Sequence, residues 1–180
     1  MNTEQITYFE EPGRQNTDRT LEIAFAAARE QGIETMVLAS TTGETASRAI
    51  ELAGDDIKMV VIPHQYGWAE ETEFDLNLVP VLEEHGHQVH FATMLFHTED
   101  FYGTGAPRAL ADLLRIFGQG TKVCVEIILM AADAGLVSSG EQVVAVAGTG
   151  RGADTAMTAT AASSRRLGEM KVHCILCKPL

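Results

Sequence analysis

Apolar residues in this chain fall into short, nearly unbroken runs, with stretches of helical spacing between them. Residues 35–39 (Thr-Met-Val-Leu-Ala), 57–62, 88–93, 142–147 and 171–177 read as strands. Between them, Asn16 or Thr17 caps a helix that runs to about Gln31. Leu21, Phe25 and Ala28 share one of its faces, and Gly32 is its stop. Further helices are expected over residues 44–53, ended by Gly54, and over 74–85, ended by Gly86. A long loop then runs to Ala106. Pro107 suits a first helical turn, where its missing N–H costs nothing, and opens a helix to Ile116. Residues 121–134 and 153–166 complete the set of expected helices. Strands alternating with helices predict an α/β fold: three layers, α/β/α, around a mostly parallel sheet of about five strands. The strands are apolar throughout, as strands covered on both faces are. The last strand has no clear crossover helix, which leaves its direction open. No Pro- or Ser-rich tract divides the chain, so residues 1–180 are expected to form one domain.

Charge narrows the classes of partner. The net charge is −12, with 25 acidic residues against 13 Lys and Arg. That disfavours nucleic acid, which calls for a basic face, and an anionic membrane surface. It leaves room for a small phosphorylated ligand, because backbone N–H groups bind phosphate without net positive charge. The longest stretch free of Asp, Glu, Lys and Arg, residues 85–98, holds four His and is shorter than a membrane span. The first fifteen residues contain no apolar export core. Three cysteines, Cys124, Cys174 and Cys177, with no export signal, suggest free thiols in a reducing cytoplasm.

Candidate chemistry lies in three Gly/Thr loops. They are Ser40-Thr41-Thr42-Gly43-Glu44-Thr45, Gly103-Thr104-Gly105-Ala106, and Gly148-Thr149-Gly150-Arg151-Gly152-Ala153. The first and third follow a strand and are expected to open a helix. In an open parallel sheet such exits line one edge, where ligands bind. Free N–H groups at helix N-termini favour anions, and Thr hydroxyls add donors. Taken singly, each loop also reads as an ordinary turn or cap; the repetition favours a shared phosphate site. A fourth exit, Pro63-His64-Gln65-Tyr66-Gly67-Trp68, adds His64 and Gly67. Two readings stand for His64: a ligand contact or proton donor, and a plain loop histidine. Arg108 and Arg151 flank the second and third loops and are the best-placed charges for a phosphate or an anionic ring edge.

Other motifs carry less. No Gly-x-x-x-x-Gly-Lys-Ser/Thr string occurs. Gly148-x-Gly150-x-x-Ala153 matches the loose dinucleotide fingerprint, but Glu169 precedes the next strand instead of ending it, and too few residues follow. Cys174-x-x-Cys177 lies on an expected strand, where residues three apart point to opposite faces, so the pair reads as small core hydrophobes. Cys124 reads the same way. His85, His87 and His90 are expected to be exposed at a turn, and no metal-ligand spacing is recognisable. Glu126, inside an apolar helix, must be paired, protonated or at the helix edge; a structural and a catalytic role are both open.

Several strings resemble a known family. Val37-Leu-Ala-Ser-Thr-Thr-Gly43-Glu-Thr-Ala-Ser-Arg48 is similar to the effector phosphate loop of the pyruvate kinase C-terminal domain, and Glu141-Gln-Val-Val-Ala-Val-Ala-Gly148-Thr-Gly-Arg151-Gly to its later Gly-rich loop. Nearly the whole chain resembles a stand-alone family of pyruvate kinase C-terminal-like proteins from archaea and some bacteria. The strings are Tyr8-Phe-Glu-Glu-Pro-Gly13, Phe117-Gly-Gln-Gly-Thr-Lys-Val-Cys-Val-Glu126, Ala131-Ala-Asp-Ala-Gly135 and Gly148-Thr-Gly-Arg-Gly-Ala-Asp154. The resemblance implies the α/β/α fold without the kinase barrel, so kinase activity does not carry over. It implies phosphate binding at Ser40, Thr41, Thr42, Gly43 and Thr45. Glu44 stands where the kinase loop commonly has Arg, which disfavours a bisphosphate and suits one phosphate. The stand-alone family is similar to proteins that hold flavin mononucleotide (FMN) in this crevice. The expected cofactor is therefore FMN, with His64, Gly67, Thr104, Arg108, Gly150 and Arg151 around its ribityl chain and ring, and Glu44, Gly105, Gly148, Thr149 and Gly152 also among the residues expected to bind it. A flavin-dependent oxidoreductase is one expectation. A non-catalytic module sensing a phosphorylated metabolite is the alternative, and an oligomeric scaffold with a vestigial crevice a third. A homo-oligomer is possible in each.

Overall fold

The computed structural model describes residues 5–180. Seven strands form one sheet: β1 (Thr7–Phe9), β2 (Thr35–Ala39), β3 (Lys58–Ile62), β4 (Gln88–Val89), β5 (Gln142–Ala147), β6 (Thr155–Thr160) and β7 (Lys171–Pro179). Their order is β1-β7-β6-β5-β2-β3-β4. Strand β6 is antiparallel to both β5 and β7, and every other pairing is parallel. The helices are α1 (Thr17–Gln31), α2 (Glu44–Ala53), α3 (Leu78–Glu84), α4 (Glu99–Tyr102), α5 (Ala106–Arg115) and α6 (Gln119–Asp133). The α/β class and the mostly parallel sheet agree with the sequence pattern.

The sheet is covered on both faces, and strand alternation sorts its side chains between them. Met36, Leu38, Met59, Val61, Val144 and Val146 join Leu21, Phe25 and Ala28 of α1 and Ala46 and Ala49 of α2 in one core. Val37, Val60, Val143 and Ala145 join Ile127, Ile128 and Ala131 of α6 in the other. Helix α5 packs outside α6 through Ala111, against Val125 and Leu129. No helix among the described residues is long and apolar enough to cross a membrane.

The largest correction concerns residues 153–166. The expected helix is strand β6 followed by a 3-10 segment, Ser164–Glu169. Ala153, Ala156, Ala159, Ala161 and Ala162 favour a helix, but the run Thr-Ala-Met-Thr-Ala-Thr fills the slot between β5 and β7. Its small residues suit that place, because α6 comes very close: a Cβ on Gly120 would overlap Thr155 Oγ1. Local propensity yields here to tertiary packing. Strand β1, three residues on the sheet edge beside the end of β7, lies outside the expected set and brings the count to seven. The helix expected over 74–85 is shorter, Leu78–Glu84, and the strand expected over 88–93 is only Gln88–Val89.

Two side-chain expectations also change. His87 is buried, and its Nδ1 accepts the Met59 N–H at 3.2 Å. Cys174, Leu176 and Cys177 all pack against the α1 core, so the expected alternation of faces does not hold for the two thiols. Register shifts in the β6–β7 pairing break the two-residue period there.

Candidate active-site cavity

Strand β2 lies between β5 and β3, so the chain leaves it toward α2 on one side and receives β5 on the other. A crevice at the carboxyl ends of the strands is the expected consequence of such a switch in order. A cavity of about 270 Å³ opens there, between residues 40–45, residues 62–68, residues 148–152 and one side of α6.

The first wall is the turn from β2 into α2. Gly43 has φ 92°, a conformation that L side chains rarely adopt, and a Cβ on it would lie 2.9 Å from Leu78 Cδ2. It shapes the turn from behind and does not line the cavity. The first N–H groups of a helix have no partner within it. In α2, Ala46 N–H donates to Ser40 Oγ at 3.2 Å and Glu44 N–H to Thr42 Oγ1 at 3.4 Å. Ser40 and Thr42 are therefore partly committed to capping, and Thr41, Thr42 and Thr45 line the cavity. Glu44 also lines it, but its carboxylate is paired with Arg14 and Arg48. Its charge is thus offset, which weakens the reason for excluding a more highly charged phosphate ligand.

The second wall follows β3. His64 Nε2 lies 3.4 Å from Thr41 Oγ1. His64 Nδ1 is buried with no hydrogen-bond partner; the nearest carboxylate, Glu73, is 3.8 Å away. Burial pushes this imidazole below its ordinary pKa, and the neighbouring Glu73 only partly opposes that. Trp68 stands beside it, with ring centroids 5.5 Å apart. Gly67 is exposed and outside the cavity.

The third wall is the turn between β5 and β6. It opens no helix, so the anion-binding argument that applied to a helix start does not apply to it. Asp154, fully buried, holds it: Oδ2 accepts the Thr149 and Gly13 N–H groups at 3.0 and 2.9 Å, and Oδ1 accepts the Thr155 hydroxyl at 2.8 Å. Thr149 thus serves the turn and is not among the lining residues, whereas Gly148, Gly150, Arg151 and Gly152 are. Arg151 Nη2 donates to Glu73 Oε1 at 2.8 Å and ties this wall to the second.

The Gly103–Ala106 loop is not part of this site. Thr104 and Gly105 are exposed, and Arg108 faces Glu99 and Asp112 at 3.8 and 3.5 Å on the outer helices. In its place stands a group that sequence reasoning left out of the site. Lys122 is 1% exposed and donates to Glu126 Oε2 and to His97 Nε2, the latter at 2.9 Å. Glu126 Oε1 accepts the Phe96 N–H at 2.8 Å. All of Lys122, Glu126 and His97 line the cavity, with Trp68 5.1 Å from the His97 ring. Burial lowers the pKa of Lys122 against the pull of Glu126, and burial together with Lys122 lowers that of His97. The signal was present: Lys and Glu four apart inside an apolar helix must face each other or a polar space. Met94, Ile127 and Met130 add apolar wall.

The cavity therefore has a polar rim at α2 and an aromatic and apolar interior with one buried cation. No family model matches the chain. Among solved structures, two chains of Cryptosporidium parvum pyruvate kinase are similar. One is 14% identical over 71% of this chain and 20% of its own, with a TM-score of 0.36. The other, in complex with ADP, is 14% identical over 86% of this chain and 23% of its own, with a TM-score of 0.40. This chain spans between a fifth and a quarter of the length of those it resembles.

Proposed function

We propose that the cavity binds a singly phosphorylated small molecule with a planar ring, and that FMN is this ligand. One observation carries the reading. A phosphate-type cradle at the start of α2 and an interior containing Trp68, Met94, Met130 and the Lys122 ammonium open into the same space. The phosphate would be received by the Thr45 amide and the Thr41, Thr42 and Thr45 hydroxyls, with Ser40 bracing the turn. The ring would lie among the apolar residues toward His64, His97 and Lys122. The residues present fit such a group, since the buried Lys122 offers an N–H donor beside the aromatic and apolar lining, in the same cavity as the Thr41, Thr42 and Thr45 side chains. When bound, a flavin supplies hydride or single-electron transfer, and the protein supplies orientation and local charge.

A second reading rests on size. About 270 Å³ lies just below the roughly 300–1,000 Å³ of sites that hold drug-sized ligands. That favours a smaller phosphorylated metabolite, sensed without chemistry. The visible spectrum of the purified protein, with and without added FMN, separates the two. A flavin spectrum altered by binding supports the first reading; a colourless protein whose unfolding temperature rises with sugar phosphates but not with FMN supports the second.

A further inference from the structure

The Lys122 ammonium has three N–H donors. Two are directed at Glu126 Oε2 and His97 Nε2, and the Phe96 ring lies 5.6 Å away. The residue is 1% exposed and lines the cavity, and the only other carboxylate acting on it among the described residues is Glu99, to which it makes no hydrogen bond. A buried charge is held at considerable cost unless all its hydrogen bonds are made. Its partners are themselves fixed: Glu126 by the Phe96 N–H, and the His97 ring by its edge contact with Trp68. The ammonium is thus a pre-oriented donor, and the carboxylate beside it keeps the pair from acting as a free positive charge.

We propose that Lys122 is the second polar anchor of the cavity, donating to an oxygen acceptor, a carbonyl or carboxylate, borne by the end of the ligand remote from its phosphate. The inference rests on the phosphate reading above and deepens it. The ligand class becomes a phosphate monoester that carries a ring or chain with its own oxygen acceptor. In FMN, the pyrimidine carbonyls meet that requirement. Glu126 and His97 are positioning residues, acting through Lys122.

The test uses Lys122→Met together with Glu126→Gln, so that no unpaired buried carboxylate remains and the amide oxygen that replaces it can still accept the Phe96 N–H. Urea unfolding first establishes that this double variant folds. Affinities for FMN and for inorganic phosphate, and the absorption spectrum of bound flavin, are then compared with the wild type. A hydrogen bond from a charged donor predicts FMN binding weaker by roughly 10- to 100-fold. Inorganic phosphate, held at α2, should change less than about twofold, and the bound-flavin bands should shift because the local charge is gone. Lys122→Arg, which keeps a cation, should restore part of the FMN affinity. Unchanged FMN affinity in the double variant overturns the proposal, as does an equal loss for FMN and phosphate. A wild type that binds phosphate but not FMN overturns the flavin reading and this anchor while leaving the phosphate cradle. A wild type that binds neither removes the phosphate reading as well. If the double variant does not fold, Lys122→Met with Glu126→Met, an apolar replacement of a buried ion pair that is often neutral for stability, decides: an unshifted flavin spectrum and unchanged FMN affinity count against the anchor.

Discussion

At the scale of single residues, burial shifts His64, His87, His97 and Lys122 more than neighbouring charge does. His87 shows the sign clearly. Burial, then His85, pushes its imidazole below the ordinary value of 6.5. A basic group with a lower pKa in the folded state binds fewer protons folded than unfolded. Its contribution to stability is complete above about pH 6.5 and is lost as the pH falls below that value. His64 and His97 are lowered for the same reason and act in the same direction. Replacing His87 with Gln keeps an acceptor for the Met59 N–H but removes one titration. Urea unfolding between pH 7.5 and 5.5 should therefore show a smaller loss of stability for His87→Gln than for the wild type; equal slopes would refute this account. The sequence revealed such residues unevenly. Ser40, Thr41, Thr42 and Thr45 were legible because a strand, a Gly turn and a helix follow one another without interruption. His87 and His97 were not, because their burial depends on segments that meet them only in the folded chain. Lys122 was legible in principle, through its spacing from Glu126, and only the fold shows that the pair faces a cavity.

At the scale of elements, the close approach of α6 to β6 fixes what each can contain. Gly120 leaves no room for a methyl group against Thr155, whose hydroxyl is already committed to Asp154. Overpacking of a dense core costs about 1–3 kcal/mol, and Gly120→Ala should lie at the upper end. A large drop in the urea midpoint with an unchanged slope is the expected outcome; a shift under ~0.5 kcal/mol would show that α6 moves freely. The same tightness explains why the local pattern of β6 points to a helix. Its Ala and Thr residues are chosen for volume between two helices and two strands, a constraint that no local pattern encodes. The other long elements were legible because their apolar runs are long and their ends are marked by Gly32, Gly54 and Pro107. In β7, Cys177 is buried and its thiol is pushed up to about 11, so it stays protonated at neutral pH. Cys177→Val should cost some stability and leave FMN affinity within about twofold of wild type, well short of the tenfold that 1.4 kcal/mol represents. A large loss of affinity would mean that the thiols reach the site.

At the scale of the whole molecule, one sheet edge collects the chemistry. The exits of β2, β3 and β5 meet there because the chain runs from β2 to β3 on one side and later returns to place β5 on the other. The result is a polarity across the cavity, with hydroxyls and a helix start at one side and the aromatic, apolar and Lys122 surfaces at the other. The net charge of −12 does not oppose the proposed phosphate site, because its donors are backbone and hydroxyl dipoles and the overall field is screened. The proposed phosphate site is the start of α2. Thr42→Val keeps the shape of the side chain and deletes its hydroxyl, and riboflavin is FMN without the phosphate. Titration of wild type and Thr42→Val with both ligands compares the two directly. A lost hydrogen bond to a charged group predicts FMN binding weaker by roughly 10- to 150-fold, with the weaker riboflavin binding unchanged. Equal effects on the two ligands, or no effect on FMN, would contradict the placement of the phosphate at residues 40–45.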